Sequence, residues 1–270
     1  MCDRTIAFEK HSLNNGRERV MSPFRESKTF AVVVLTVLLT IAGVLIGSDA
    51  SAVPTLQLDI GGGVYDPVTQ TIVSTSDAFT LYAILHPGGA STLSTTYYIS
   101  AALFPEVGPD SASLGSFVFG GSTVNVTSDM TYGRPPIEAT GIATSDAGDL
   151  PRHGIFPTYF SEFGFTFNPA NTATIYNTQE NPGGPTPNPL GTVYYAAFDV
   201  DISGLSPSYV LHFDLYNTRV RSGGDIDVRD FAPFSHDAEG RHQVPEPASV
   251  LLLGSGLVGL GLLKRKFFGG

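Results

Sequence analysis

The residues best suited to chemistry are three carboxylates in the stretch Asp225-Ile226-Asp227-Val228-Arg229-Asp230. Carboxylate oxygens are preferred ligands of Ca²⁺, and alternate residues of a strand or loop can direct them toward one ion. The spacing does not match an EF-hand loop, because the sixth position holds Asp230 where that loop has glycine. Two interpretations stay open: a calcium site at Asp225, Asp227 and Asp230, or a set of solvated acidic turns.

A second set of reactive residue types is Ser235-His236-Asp237, which matches the composition of a nucleophilic triad. Neighbouring side chains point in different directions, however, and such a triad is assembled in space. The sequence also has no Gly-x-Ser-x-Gly elbow and no His-Glu-x-x-His helix. We therefore interpret the stretch as a turn in which Ser235 or Asp237 hydrogen-bonds local backbone. His153, in a turn-rich stretch, is the other histidine of interest, and no catalytic residue is assigned.

The charge of residues 53–243 limits the partners of this region. It has 19 acidic and 6 basic residues, and all six basic residues are arginine. Its net charge of −13 is more negative than the −10 of the whole chain. Such an acidic surface argues against nucleic acid as a partner and suits an extracellular, calcium-rich setting. The one cysteine is Cys2, so this region has no disulfides and no thiol chemistry.

Residues 53–229 read as strands rather than helices. Short runs rich in β-branched and aromatic residues are bounded by Gly, Pro, Asn, Asp or Ser. The runs are 55–60, 69–73, 79–85, 97–103, 116–119, 123–126, 162–167, 193–199 and 210–216. Many short strands at fairly regular spacing predict an all-β fold, an antiparallel β-sandwich.

Two segments of this region are predicted to lie outside the sheets. Residues 177–191 contain four prolines and the pair Gly183-Gly184, which is typical of a long surface loop. Residues 230–243 are predicted to form a spacer that leads to the membrane.

The N-terminal residues 1–52 have the features of a leader. An apolar run at 30–47 follows Arg25 and Lys28 and precedes Ala50-Ser51-Ala52. This pattern predicts a secretory signal helix, handled by the Sec machinery and cut by signal peptidase between Ala52 and Val53. An uncleaved anchor is the alternative, and the polar first twenty residues favour Met21 as the true start.

The C-terminal residues 244–268 contain a second apolar segment. In order, they are Val244-Pro245-Glu246-Pro247, an uncharged stretch at 248–263, and the basic cluster Lys264-Arg265-Lys266. As a helix the uncharged stretch would span ~24 Å, against a bilayer core of ~30 Å. It predicts a single transmembrane helix in the inner membrane, with the basic cluster kept on the cytoplasmic side.

This ordered C-terminal set closely resembles the PEP-CTERM sorting signal of Gram-negative bacteria. The resemblance implies that an exosortase recognises Pro245-Glu246-Pro247 and removes or exchanges the tail. The exported region resembles the choice-of-anchor N group of bacterial surface proteins in residues 56–60, 63–67 and 232–238, with 153–167 adding to the likeness. That second resemblance implies an extracellular β-rich module and brings no known activity.

These observations lead to three ranked hypotheses about function. The first is a non-enzymatic protein of the cell surface or extracellular matrix, exported, held transiently in the inner membrane, processed by an exosortase and associated with exopolysaccharide in a biofilm. The second is a carbohydrate- or calcium-dependent binding module, with Ca²⁺ as the one candidate cofactor. The third is a secreted hydrolase, for which the sequence offers no assembled active site.

Overall fold

The computed structural model of the protein describes residues 53–138 and 146–242. Within these ranges the chain forms fourteen strands and one 3₁₀ turn. The strands are β1 (Leu56–Ile60), β2 (Val64–Asp66), β3 (Thr71–Val73), β4 (Ala78–Leu85), β5 (Tyr97–Phe104), β6 (Ser116–Phe119), β7 (Ser122–Asn125), β8 (Thr131–Gly133), β9 (Thr158–Phe165), β10 (Thr172–Ala173), β11 (Val193–Asp201), β12 (Val210–Val220), β13 (Ile226–Phe231) and β14 (Asp237–Gly240), with the 3₁₀ turn η1 at Phe234–His236. Over this part of the chain, no helix combines the length and apolar character needed to cross a bilayer.

The strands form two sheets, which confirms the predicted all-β class. The first has the order β1-β4-β11-β6-β7, with β10 joined to β11. The second has the order β2-β3-β14-β12-β5-β9-β8, with β13 joined to β12. The pairings are antiparallel except that β14 runs parallel to β3, so the second sheet is mixed rather than purely antiparallel.

The sheets pack face to face through alternate residues of their strands. Leu58 of the first sheet and Ile99 and Phe213 of the second have no exposed surface. Phe79 meets Phe213 edge to face, with ring centroids 6.3 Å apart. Because each fully buried Leu, Ile or Phe stabilises the fold by ~1.5–3 kcal/mol, this interface supplies the main core.

The second sheet is also covered on the face that points away from the first sheet. A separate apolar cluster lies there. It joins residues of three strands to residues of the loop that precedes β9. The strand residues are Ala102, Phe160 and Tyr216, and the loop residues are Leu150, Ile155 and Phe156. Successive side chains of a strand point to opposite faces. The residues of β12 that alternate with Leu211 and Phe213 are therefore buried under this loop instead of facing solvent.

The predicted spacer at 230–243 is wrong. β13 continues to Phe231, and β14 lies inside the second sheet between β12 and β3. Ala238 is fully buried in the core, and Asp237 and Glu239 are buried on the opposite face. The polar sequence suggested solvation, but hydrogen bonds to a strand on each side satisfy this backbone and hold it in the fold.

The proline-rich segment 177–191 is a loop, but it is packed against β1 rather than free on the surface. Its anchor is the buried carboxylate of Asp59. This carboxylate accepts hydrogen bonds from the backbone N–H groups of Ile60, Gly183 and Gly184, and from the hydroxyl of Tyr176, at 2.8–3.0 Å. The Asp59 side chain therefore fixes the chain at two places, at Tyr176 just before the loop and at Gly183-Gly184 within it.

Candidate functional site

A cluster of ionisable side chains lies on the covered face of the second sheet. His212 and Asp214 are alternate residues of β12, so both point to this face. In the neighbouring strand β14, His212 lies opposite Glu239. The same register continued by one residue puts Asp214 opposite Asp237. His153 comes from the loop above the sheet.

The polar atoms of the cluster converge within a small volume. The Nε2 atoms of His153 and His212 are 3.2 Å apart. Nε2 of His153 lies 3.1 Å from Oδ1 of Asp214, and Nε2 of His212 lies 3.6 Å from the same oxygen. Nε2 of His212 is also 3.6 Å from Oδ2 of Asp237. All four donor atoms lie within 4.8 Å of one another, so these residues could hold a metal ion.

The loop conformation aims His153 inward. His153 has a left-handed backbone with φ of 32°, and the following Gly154 has φ of 87°. This region is uncommon for residues other than glycine, although histidine enters it more readily than most. The ring stacks on Phe234 at a centroid distance of 4.0 Å. Its Nδ1–H donates to the carbonyl oxygen of Pro151 at 2.7 Å, which leaves Nε2 directed at the cluster.

Burial and mutual charge shift the pKa values of the cluster in opposite directions. Burial opposes a charge on His212, but the carboxylates of Asp214, Asp237 and Glu239 outweigh it and hold its pKa well above the ordinary value. Burial likewise opposes the charge of Asp214, yet His212 and His153 hold its pKa well below the usual range. Burial and the Asp214 carboxylate raise the pKa of Asp237 to about 7. With no metal ion between them, Asp214 keeps its charge, and its repulsion favours the protonated form of Asp237.

Polar side chains outside these four residues lie next to Asp214 and His212. The hydroxyl of Ser100 donates to Oδ2 of Asp214 at 2.9 Å. Oε2 of Glu239 lies 3.9 Å from Nδ1 of His212, and Glu239 is itself paired with Arg241. A cleft of about 310 Å³ lies alongside, lined by His153, His212, Glu239 and Phe234 among others.

The predicted calcium residues are only partly brought together. Asp225 and Asp227 lie close to Asp146, beside an open cleft of about 710 Å³. Oδ2 of Asp227 is paired with Arg219 at 3.1 Å and with Arg221. Asp230 lies elsewhere.

Asp230 instead accepts a hydrogen bond from the hydroxyl of Ser91. The predicted trio is therefore not formed, because Asp230 lies further along β13, opposite Asn217 of β12, whereas Asp227 lies opposite Arg219. Calcium binding near Asp227 stays a prediction.

Ser235, His236 and Asp237 do not form a triad. The ring of His236 is hydrogen-bonded through Nδ1 to the Ser235 hydroxyl at 3.0 Å and through Nε2 to the Asn177 side chain at 3.1 Å. Asp237 faces His212 rather than His236. The predicted turn is present as η1, but Asp237 belongs to the buried cluster and not to local backbone bonding.

The residues predicted for sorting and cleavage lie outside the described ranges, apart from Val53, which is the first described residue. They are Ala50, Ala52, the motif Val244-Pro245-Glu246-Pro247 and the cluster Lys264-Arg265-Lys266. The signal helix and the transmembrane helix therefore stay predictions.

The sequence interpretation singled out His153 but missed His212, Asp214 and Glu239. A signal for two of them was available, since His212 and Asp214 alternate with apolar residues inside a run correctly predicted as a strand. Two ionisable residues on one face of an apolar strand indicate either an exposed face or a buried polar site. The loop that covers His212 and Asp214 makes this a buried polar site, and the strand sequence alone does not reveal that loop.

Comparison with known proteins adds information for the C-terminal segment. A family described as the PEP-CTERM protein-sorting motif matches residues 243–266. A motif of this kind implies export, with a cell-surface or extracellular destination. It also indicates that the protein is targeted to an exosortase. No curated protein and no solved structure matches the chain.

Proposed function

We propose that this chain is a non-enzymatic structural protein of the cell surface or extracellular matrix, associated with exopolysaccharide and released or attached by an exosortase. The observation that carries the proposal is the match of residues 243–266 to the sorting motif. Its position supports the proposal, because the match begins three residues after β14 ends at Gly240.

The proposed route has three steps. Signal peptidase cuts before Val53 after entry through the Sec machinery, and the apolar tail then holds the protein transiently in the inner membrane. The exosortase next acts at Pro245-Glu246-Pro247. From Gly240 to Pro245 the chain can extend at most ~18 Å, so the enzyme works close to the folded domain. The choice-of-anchor N likeness, an extracellular β-rich module, agrees with this route.

The absence of catalysis in this proposal is supported by the geometry of the described residues. The one triad-like sequence is not arranged as a triad, since Asp237 faces His212 rather than His236. In the buried cluster, the side chains of His212, Asp214 and Asp237 are at most 3% exposed.

A second candidate function is a carbohydrate- or calcium-dependent binding module. The observation in its favour is the open cleft of about 710 Å³, lined by Asp146, Asp225 and Asp227 together with arginines. Carboxylate and guanidinium groups are suited to the hydroxyl groups of sugars, and carboxylates are suited to Ca²⁺. Glycan arrays of the purified protein, with and without calcium, test this role, and array signal that disappears with chelator would favour it over a purely structural one.

Mass spectrometry of the surface-exposed protein tests the proposed processing. In a host that has an exosortase, we expect no peptide beyond about Pro247. Replacement of Pro245, Glu246 and Pro247 by alanine should leave the tail intact, whereas His242→Ala, a control just outside the matched residues, should not. Intact tail on mature surface protein, or loss of the tail in an exosortase-deficient host, would contradict the proposal.

A further inference from the structure

We propose that His153, His212, Asp214 and Asp237 bind one Zn²⁺ ion that joins β12, β14 and the loop above them. The spacing of the donor atoms fits a single ion. In a tetrahedral zinc site with bonds of 2.0–2.1 Å, neighbouring ligand atoms are about 3.3–3.4 Å apart. The four distances recorded among these residues are 3.1, 3.2, 3.6 and 3.6 Å.

The buried carboxylates have no well-aligned hydrogen-bond donor. Neither oxygen of Asp237, nor Oδ1 of Asp214, has a hydrogen bond of good geometry among the described residues. The nearest polar groups are the imidazole nitrogens of His153 and His212, at 3.1–3.6 Å. Both side chains are more than nine-tenths buried. Burial of an ionised carboxylate without compensation costs several kcal/mol in a folded protein, so atoms of this kind indicate a ligand aimed at a cation.

Two carboxylates face each other across the strand pair. Asp214 and Asp237 lie opposite each other on one face of β12 and β14, where like charges destabilise a sheet. In the deprotonated form that binds a metal, two neutral imidazoles and two carboxylates carry a charge of −2. One divalent cation between them would balance this charge and turn the repulsion into attraction.

The histidine geometry fits coordination. The Pro151 carbonyl can only accept a hydrogen bond, so Nδ1 of His153 carries the proton and Nε2 presents its lone pair to the cluster. If the His212 ring also carries its proton on Nδ1, the two Nε2 lone pairs, 3.2 Å apart, both face the cluster. The nearest carboxylate oxygen to Nδ1 of His212 is Oε2 of Glu239 at 3.9 Å, which is beyond hydrogen-bond distance, so this ring is held less firmly than His153.

The donor set selects zinc over the other divalent ions of the extracellular medium. Ca²⁺ and Mg²⁺ prefer six or more oxygen ligands, whereas two imidazole nitrogens and two carboxylate oxygens suit Zn²⁺. Four protein ligands also complete a tetrahedron, which is typical of structural rather than catalytic zinc.

The proposed role of the zinc ion is to join the covering loop to the sheet in a region that has no disulfide bond. Residues 53–242 contain no cysteine, so no disulfide can join the covering loop to the sheet. His153 is distant in sequence from β12 and β14, and a metal bond from it to Asp214 and Asp237 closes loops of more than fifty residues. Closure of long loops reduces the freedom of the unfolded chain and so favours the folded state.

Elemental analysis and thermal unfolding of the purified full-length chain test the proposal. We expect about one zinc per chain and, by X-ray absorption at the zinc edge, nitrogen and oxygen ligands at about 2.0–2.1 Å. Removal of zinc with a chelator should lower the melting temperature by about 5–10 °C, and added Zn²⁺ should restore it.

Variants separate zinc binding from folding. His153→Asn keeps a residue that tolerates left-handed backbone, and Asp237→Asn keeps the side-chain shape. Both should retain the far-UV circular dichroism of the wild type, lose the zinc and lose the response to chelator. His86→Asn, a histidine outside the cluster, is the matched control and should behave as the wild type.

Several outcomes would overturn the proposal. One is a melting temperature that neither chelator nor added Zn²⁺ changes, in protein found to be free of zinc. Another is a folded His153→Asn variant that keeps its full zinc content, since the ion would then lie elsewhere. Stoichiometric copper or nickel in place of zinc, in protein from zinc-replete cells, would refute the metal assignment.

Discussion

Substitution of Asp59 tests whether one buried carboxylate holds the proline-rich loop to the sandwich. The side chain is fully buried in β1, and four donors point at its two oxygens. Two of them, Gly183 and Gly184, belong to the loop, and Tyr176 immediately precedes it. Asp59→Ala removes the acceptor and leaves these donors facing an apolar side chain.

The magnitude follows from the number and kind of bonds lost. A hydrogen bond to a charged group contributes about 1.5–3 kcal/mol, so four of them sum to well over the effect of an ordinary substitution. The loop can move away and rehydrate its own donors, which limits the loss. We therefore expect Asp59→Ala to lower the free energy of unfolding by about 3–5 kcal/mol. Asp59→Asn keeps one oxygen but turns an amide N–H₂ toward donors, and should cost about 2–3 kcal/mol.

Urea unfolding of the full-length chain, followed by far-UV circular dichroism, measures these changes. Hydrogen exchange of residues 174–191 provides the local measurement, since the amides of Gly183 and Gly184 should lose protection first. The matched control is Asp199→Ala, an exposed aspartate of the same sheet, which should change stability by less than about 0.5 kcal/mol. A loss in Asp59→Ala as small as that of the control, with the loop still protected, would refute the assigned role.

Three further predictions concern β14 and the acidic cleft. Ala238→Asp puts an unpaired charge into the core and should abolish cooperative thermal unfolding, whereas the exposed Ala170→Asp should not; equal melting temperatures would support the spacer interpretation instead. Arg241→Gln should lower the stability by about 1 kcal/mol in low salt and by less in high salt, because its ion pairs are partly solvated; chemical denaturation at two salt concentrations measures this. Calcium titration calorimetry should show an affinity about tenfold weaker in Asp227→Asn and unchanged in Asp230→Asn, and the reverse order would contradict the observed separation of the two residues.

The fold class could be predicted because its strands have a strong local pattern. Tyr97–Phe104, Val193–Asp201 and Val210–Val220 are rich in aromatic and β-branched residues, and the predicted runs lie within them. β14 could not be predicted in this way. Its sequence, Asp237-Ala238-Glu239-Gly240, has low strand propensity, and it is a strand because β12 and β3 provide partners on both sides.

The buried cluster was beyond the sequence for a related reason. His153 lies 59 residues before His212, so no local spacing links them. Their meeting depends on a left-handed turn at His153 and on the register of β12 with β14. The sorting signal, by contrast, is read as a linear order of residues, and for that reason it was identified from the sequence alone.

The central place of β14 has a mechanical consequence for a protein attached through its C-terminal end. Tension applied beyond Gly240 runs along a strand that is bonded to an antiparallel neighbour on one side and a parallel neighbour on the other. Such a pull loads both rows of bonds in shear, so they must yield together rather than unzip one after another. Attachment at this point would pass force into an inner strand of the second sheet rather than into an edge strand.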